Sequence, residues 1–195
     1  MVNARQPNQM VKRPCERLGT VLTRYLLTVS VRQQALRLWE REQPGEAERL
    51  ALRGATGRYY RLVRRYRCST SKFGIGQVAG SNCTPLGWHR IARKIGGGWP
   101  VGTVFKSRQP VGFTWKGMPG AAIATRILWL EGLEPGFNRG GDVDTFRRYI
   151  YIHGTGDEPT LGRPASHGCI HLAADDLIPL YERLPVGTLV WIGEW

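Results

Sequence analysis

His153, His167, Cys169 and His171 fall within 19 residues of a 195-residue chain that holds four His and four Cys in all. Those side-chain types suit two chemistries, nucleophilic catalysis by a thiol and metal binding. A free thiol is only a few per cent thiolate at neutral pH, so a cysteine nucleophile needs an imidazole in reach to take its proton. Cys169 is the candidate nucleophile and His153 the candidate base. Gly154 follows the base, and its carbonyl can hold the second ring nitrogen in one tautomer. Gly168 precedes the nucleophile and lets the backbone pass close to a substrate, with its N–H and that of Cys169 facing a developing oxyanion. On an extended chain His167 lies on the same face as the thiol.

The metal reading uses the same residues. His167, Cys169 and His171 alternate, and His153 supplies a fourth ligand of a kind zinc accepts. Alternate positions on one strand make poor tetrahedral geometry, so the thiol reading is favoured and no metal is expected.

Positioning these groups requires two short strands. The apolar run Tyr149, Ile150, Tyr151, Ile152 delivers His153 to a Gly-rich loop, and Ile170 and Leu172 carry the chain away from Cys169. Ending side by side, the two strands would close the sixteen-residue gap between base and nucleophile. Upstream, Tyr25–Val31 and Ala35–Glu40 alternate as a hairpin around a turn at 32–34. Arg58–Ser69 reads as a strand with Tyr60, Leu62 and Tyr66 on one face and Arg61, Arg65 and Arg67 solvated on the other. Ser69–Cys83 is a Gly/Ser-rich loop, and Pro85 holds Thr84 extended. Trp88–Ile95 fits a helix by spacing. Val101–Gly120, with Gly and Pro every few residues, suits a flexible cover. Ile127–Leu130 is a buried strand, Glu131–Asp144 a Gly-rich loop, and Asp175–Leu184 a helix that loses one hydrogen bond at Pro179. Thr188–Ile192 is the last strand. Short strands punctuated by Gly and Pro indicate a mainly β sandwich or barrel with a few short helices.

The length suits one domain with a real core. No stretch of eighteen apolar residues is present, so no membrane span is expected. The N-terminal residues show no usable apolar signal core, since Arg24 interrupts the only candidate. The net charge of +13 is uneven: +11 over residues 1–72 and +2 over the remainder. Such a basic portion can attract nucleic acid, anionic lipid or an anionic wall polymer. With Cys169 assigned to chemistry, Cys15, Cys68 and Cys83 read as reduced thiols, or as a Cys68–Cys83 bridge in an oxidising compartment.

His153-Gly154, a gap, then Ser166-His167-Gly168-Cys169-Ile170 resembles the signature of the L,D-transpeptidases with the YkuD-type catalytic domain. Thr84–Ile91 (TPLGWHRI) and 132–154 (GLEPGFNRGGDVDTFRRYIYIHG) are similar to family segments, and the resemblance runs from Tyr25 to Ile192. It implies the same mainly β fold and makes Trp88–Ile95 a strand. Residues 1–20, polar with Pro7 and Pro14 and without periodicity, read as a loose basic arm, and 21–195 as one catalytic domain; the resemblance makes about 41–57, with its helix-capable piece Glu46–Arg53, an insertion. By resemblance Cys169 is the nucleophile, His153 the proton acceptor and donor, and His167 the histidine beside the oxyanion hole. Ser166 is the small hydroxyl residue before it, at the substrate. Most relatives carry Arg where this chain has His171, which affects substrate holding near the nucleophile.

The implied reaction is acyl transfer at L,D bonds of peptidoglycan stem peptides through a thioester on Cys169. No cofactor and no nucleic acid are implied, and carbapenem-type β-lactams are expected inhibitors. With an amine acceptor the outcome is a transpeptide cross-link; with water it is L,D-carboxypeptidase trimming. A non-catalytic basic module holding wall polymer or nucleic acid is the alternative from another class. The family implies the cell envelope, while the missing signal core points to the cytoplasm.

Overall fold

The computed structural model describes residues 21–42 and 60–195. The expected arm at 1–20 and the piece Glu46–Arg53 lie outside the described residues. The protein is mainly β. Its strands are β1 (Tyr25–Ser30), β2 (Ala35–Arg41), β3 (Tyr60–Arg67), β4 (Gly87–Ile95), β5 (Thr103–Lys106), β6 (Gln109–Phe113), β7 (Ala124–Gly132), β8 (Tyr151–Gly154), β9 (Ile170–Leu172) and β10 (Leu189–Gly193). They join in one open sheet of order β3-β2-β1-β10-β4-β7-β5-β6, with β8 added to β7 and β9 to β8. One α-helix is described, α1 (Ala174–Arg183), with Pro179 inside it. Among the described residues no helix is long and apolar enough to cross a membrane.

Residue alternation divides the two faces of the site strands. Ile150, Ile152, Ile170 and Leu172 join Leu128 and Leu130 of β7 and Leu177 and Leu180 of α1 in the main core. The odd positions point the other way, where Tyr151 and Cys169 pack with Phe105, Ile127, Trp129 and Phe146. By the two-residue period His153 and His171 share that second face. Each buried Leu or Ile contributes about 1.5 to 3 kcal/mol, so a one-residue slip of β8 or β9 would be strongly disfavoured. The core therefore sets where the reactive residues stand.

Three expectations change. The 101–120 segment is no plain loop: β5 and β6 pair as a hairpin. Tyr60, Leu62 and Tyr66 do not share a face, because the β2–β3 register shifts between Leu38 and Trp39. Tyr60 consequently packs with Leu26 and Trp88, Tyr66 joins the main core, and Leu62 is 46% exposed. Cys68 and Cys83 are both free thiols, so the alternative bridge is not formed. In the basic run Arg61 pairs with Glu40 and Arg64 with Asp176, which neutralises part of that charge within the domain.

Candidate active site

Parallel pairing sets Ile152 opposite Ile170, His153 opposite His171 and Gly154 opposite Leu172. Cys169 stands one step before β9, level with Tyr151. Its sulfur lies 3.4 Å from the Tyr151 N–H and 3.5 Å from the Tyr149 carbonyl. Trp129, stacked on Phe146 at 4.1 Å and edge-on to Tyr151 at 5.4 Å, forms the apolar wall beside it.

His153 is 1% exposed, and its Nδ1 lies 2.9 Å from the Gly154 carbonyl. A carbonyl only accepts, so Nδ1 carries the hydrogen and Nε2 keeps the free lone pair. A Cβ on Gly154 would stand 2.6 Å from the Ala124 carbonyl, so only glycine lets β8 lie this close to β7. The expected thiol–imidazole hydrogen bond is not formed in this resting arrangement, where the sulfur contacts Tyr151 and Tyr149 instead. Hydrogen bonds of this kind are commonly long in empty sites and tighten when substrate binds.

Burial pushes the Cys169 thiol up to about 11, against the smaller opposing effects of the Tyr151 N–H and the Arg148 charge. Burial likewise takes His153 down to about 3, and neighbouring His171 adds to the shift. The resting pair is a neutral thiol beside a neutral imidazole, not an ion pair.

The turn before Cys169 is braced from both sides. Gly168 has φ +118°, and a Cβ there would meet the Cys83 carbonyl and Ile150 Cδ1, each at 3.2 Å. Buried Ser166 donates to the Cys169 carbonyl at 2.6 Å and accepts the Gly168 N–H at 3.2 Å. Thr84 Oγ1 donates to the Gly168 carbonyl at 3.0 Å and accepts the Ser71 N–H at 2.9 Å. Three site expectations are affected by this geometry. The Gly168 N–H is taken, whereas the Cys169 N–H has no hydrogen-bond partner among the described residues. The positive φ also ends the extended run, so exposed His167 turns aside, its ring 5.4 Å from Phe73. Ser166, expected at the substrate, has its hydroxyl occupied inside the turn.

His171 is half-buried, with its ring centroid 4.7 Å from that of His153. Its Nδ1 is buried without a hydrogen-bond partner. Burial lowers it to about 4, His167 lowers it further, and Asp157 opposes the shift. Among the described residues no three His, Cys, Asp or Glu side chains are grouped as metal ligands.

Sequence reasoning missed Thr84 as a brace and Arg148 altogether. The Arg148 guanidinium donates to the carbonyls of Gly76 at 3.1 Å, Gln77 at 2.7 Å and Cys83 at 2.7 Å, fastening the 69–83 loop to the approach to β8. No local sequence signal marks such a residue, because its partners lie some 65 to 72 positions away. Two cavities open nearby. One of about 240 Å³ is lined by Asn82, Asp142, Arg147, Arg148, Ile150 and His167. The other, about 440 Å³, lies by the β5–β6 hairpin against Trp115, Thr155, Gly156 and Glu158. Arg108, at the hairpin turn, rests its guanidinium 5.2 Å from the Trp129 ring and 5.0 Å from the Tyr149 ring.

A mainly β sheet sets a histidine on one strand and a cysteine one step before its parallel neighbour, with a braced turn at the cysteine, an arrangement that suits thiol catalysis. Residues 24–192 match the model of the L,D-transpeptidase catalytic domain (YkuD), and the chain belongs to that family. YqjB of Bacillus subtilis (strain 168), a protein assigned provisionally to the L,D-transpeptidases, is 40% identical over 47 residues, which is 24% of this chain and 27% of YqjB. The structure of Bd1075 from Bdellovibrio bacteriovorus superposes with a TM-score of 0.53 at 15% identity, covering 89% of this chain and 49% of that one. L,D-transpeptidase 3 of Mycobacterium tuberculosis, in complex with a faropenem-derived adduct, gives 0.48 at 15% identity, over 88% of this chain and 60% of that one. This chain thus spans less than two thirds of each of these relatives, and the likeness to Bd1075 bears on the fold alone.

Proposed function

We propose that this protein is a cysteine acyl-transferase acting on L,D bonds of peptidoglycan stem tetrapeptides, with residues 21–195 as one catalytic unit. The observation that carries the reading is the β8–β9 pairing, which sets Cys169 and His153 at neighbouring positions on one face of a family-matched domain. Cys169 attacks the carbonyl of the third stem residue as His153 Nε2 takes the thiol proton. The amide C–N bond breaks, the terminal D-alanine leaves with that proton on its nitrogen, and the stem is held as a thioester. An amine of a second stem then attacks the thioester carbon, the C–S bond breaks, and the thiol is restored.

The Cys169 N–H faces the oxyanion in this scheme, and Ser166, Gly168 and Thr84 hold it there. His167 and the cavity it shares with Arg147 and Arg148 receive the donor stem. A carbapenem-type β-lactam, with its strained carbonyl, acylates the same sulfur. Water in place of the amine gives L,D-carboxypeptidase trimming from the same thioester. Incubation with a tetrapeptide muropeptide tests the scheme: a mass adduct on Cys169 is expected, with cross-linked dimer as product. An enzyme that consumes tetrapeptide with no adduct on that sulfur refutes it, and tripeptide alone identifies water as the acceptor.

A further inference from the structure

We propose that His171 carries protons between buried His153 and solvent, so that two imidazoles, not one, serve the base function. The inference rests on the acyl-transfer reading above. A base that is 1% exposed must still exchange protons with water, because an alkylammonium acceptor arrives protonated at neutral pH and has to lose a proton before its nitrogen can attack. A second proton leaves the nitrogen as the amide forms and returns to the departing sulfur. The first therefore has to reach solvent.

His171 is placed for this. Parallel register puts it directly opposite His153, and the two rings are 4.7 Å apart. Its Nδ1 is buried and unpartnered, whereas its other ring nitrogen is neither hydrogen-bonded nor among the buried, unpartnered atoms. One nitrogen thus faces the interior and the other reaches outward. His153 Nδ1 is held by the Gly154 carbonyl, so His153 exchanges protons through Nε2 only.

The charged and titratable groups facing His171 form a graded path. His153 on β8 lies inside, while His167 from the turn before β9 and Asp157 from the loop after β8 lie toward solvent. Burial brings the two inner imidazoles to similarly low proton affinity, about 3 and about 4, so passing a proton between them is close to thermoneutral. Asp157 favours the charged form at the outer end. An arginine in place of His171 would have five donors, no acceptor and a permanent charge, and could not pass a proton on.

The test compares His171→Ala, His171→Gln and wild type on tetrapeptide muropeptide, with and without added imidazole. His171→Ala is expected to lose roughly tenfold or more in kcat, within the span of general acid–base effects, and to regain it with imidazole. His171→Gln fills the space without a titratable nitrogen, and is expected to lose activity that imidazole does not restore. A rescue that follows the fraction of neutral imidazole across pH supports a relay, which a packing role would not produce. Wild-type kcat in His171→Ala, or a loss in folded His171→Ala that imidazole leaves unchanged, overturns the relay. The adduct on wild-type Cys169 separates the two claims. If it forms while His171→Ala turns over normally, only the relay fails; if it never forms, the acyl-transfer reading fails too.

Discussion

Thr84 suspends the carbonyl of Gly168 from a hydroxyl that is itself held by the Ser71 amide, at 3.0 and 2.9 Å. A buried residue far upstream thereby orients the peptide that leads into Cys169. Thr84→Val keeps the shape and leaves that carbonyl and that amide unpaired. Each unsatisfied buried group costs about 1 to 3 kcal/mol, which lowers Tm by several degrees in a domain of this size. Calorimetry and the rate of Cys169 acylation should both fall; an unchanged Tm would show that the brace contributes nothing.

His153→Gln keeps a polar side chain and removes the base. A loss of about a hundredfold to ten-thousandfold in turnover is expected, with folding intact by circular dichroism. Retained turnover would assign proton transfer elsewhere.

A thiol raised to about 11 is protonated at neutral pH in the empty enzyme. Iodoacetamide alkylation of Cys169, followed by peptide mass mapping, should therefore be slow at pH 7 and rise about tenfold per pH unit toward pH 11. Fast alkylation with a plateau near pH 6 would reveal a thiolate–imidazolium pair and contradict the resting state described above.

His89, fully buried between the Gly87 carbonyl and Thr145, is lowered by burial from 6.5 to about 3. His153 and His171 are lowered as well. In that window the unfolded chain binds protons that the folded chain refuses. Stability is then full above pH 6.5 and declines as the pH falls toward 3. Tm should drop steadily between pH 7 and pH 4, and less steeply in His89→Gln. A flat profile in wild type would count against these shifts.

The β5–β6 hairpin is held over the aromatic wall through Arg108, stacked on Trp129 and Tyr149. Arg108→Ala should speed amide deuterium exchange in residues 103–113 and leave exchange in β8 and β9 unchanged. Equal exchange in the hairpin would mean that Arg108 does not tether it.

Much of this was legible from residue types and short-range spacing. His153-Gly154 and Ser166-His167-Gly168-Cys169 are local strings, and their chemistry follows from the groups they carry. The strands β1 and β2 follow from alternation, β7 and β10 from short apolar runs, and α1 from its acidic first turn. Trp88–Ile95 reads as a helix by spacing and is a strand because β7 and β10 pair with it on either side.

What the tertiary structure alone decided are contacts between residues distant in the chain. The bulge opposite Leu38 sends Tyr60 and Tyr66 to different cores, and a register shift leaves no mark in residue order. The positive φ of Gly168 redirects His167, and the Ser166 hydroxyl takes the amide expected at the oxyanion. His171 becomes the neighbour of His153 only because β9 pairs in parallel with β8. Spacing along a chain specifies which face a side chain takes within one element. Which element lies beside it depends on how the buried Ile and Leu residues of all the strands pack together, and that is a property of the whole fold.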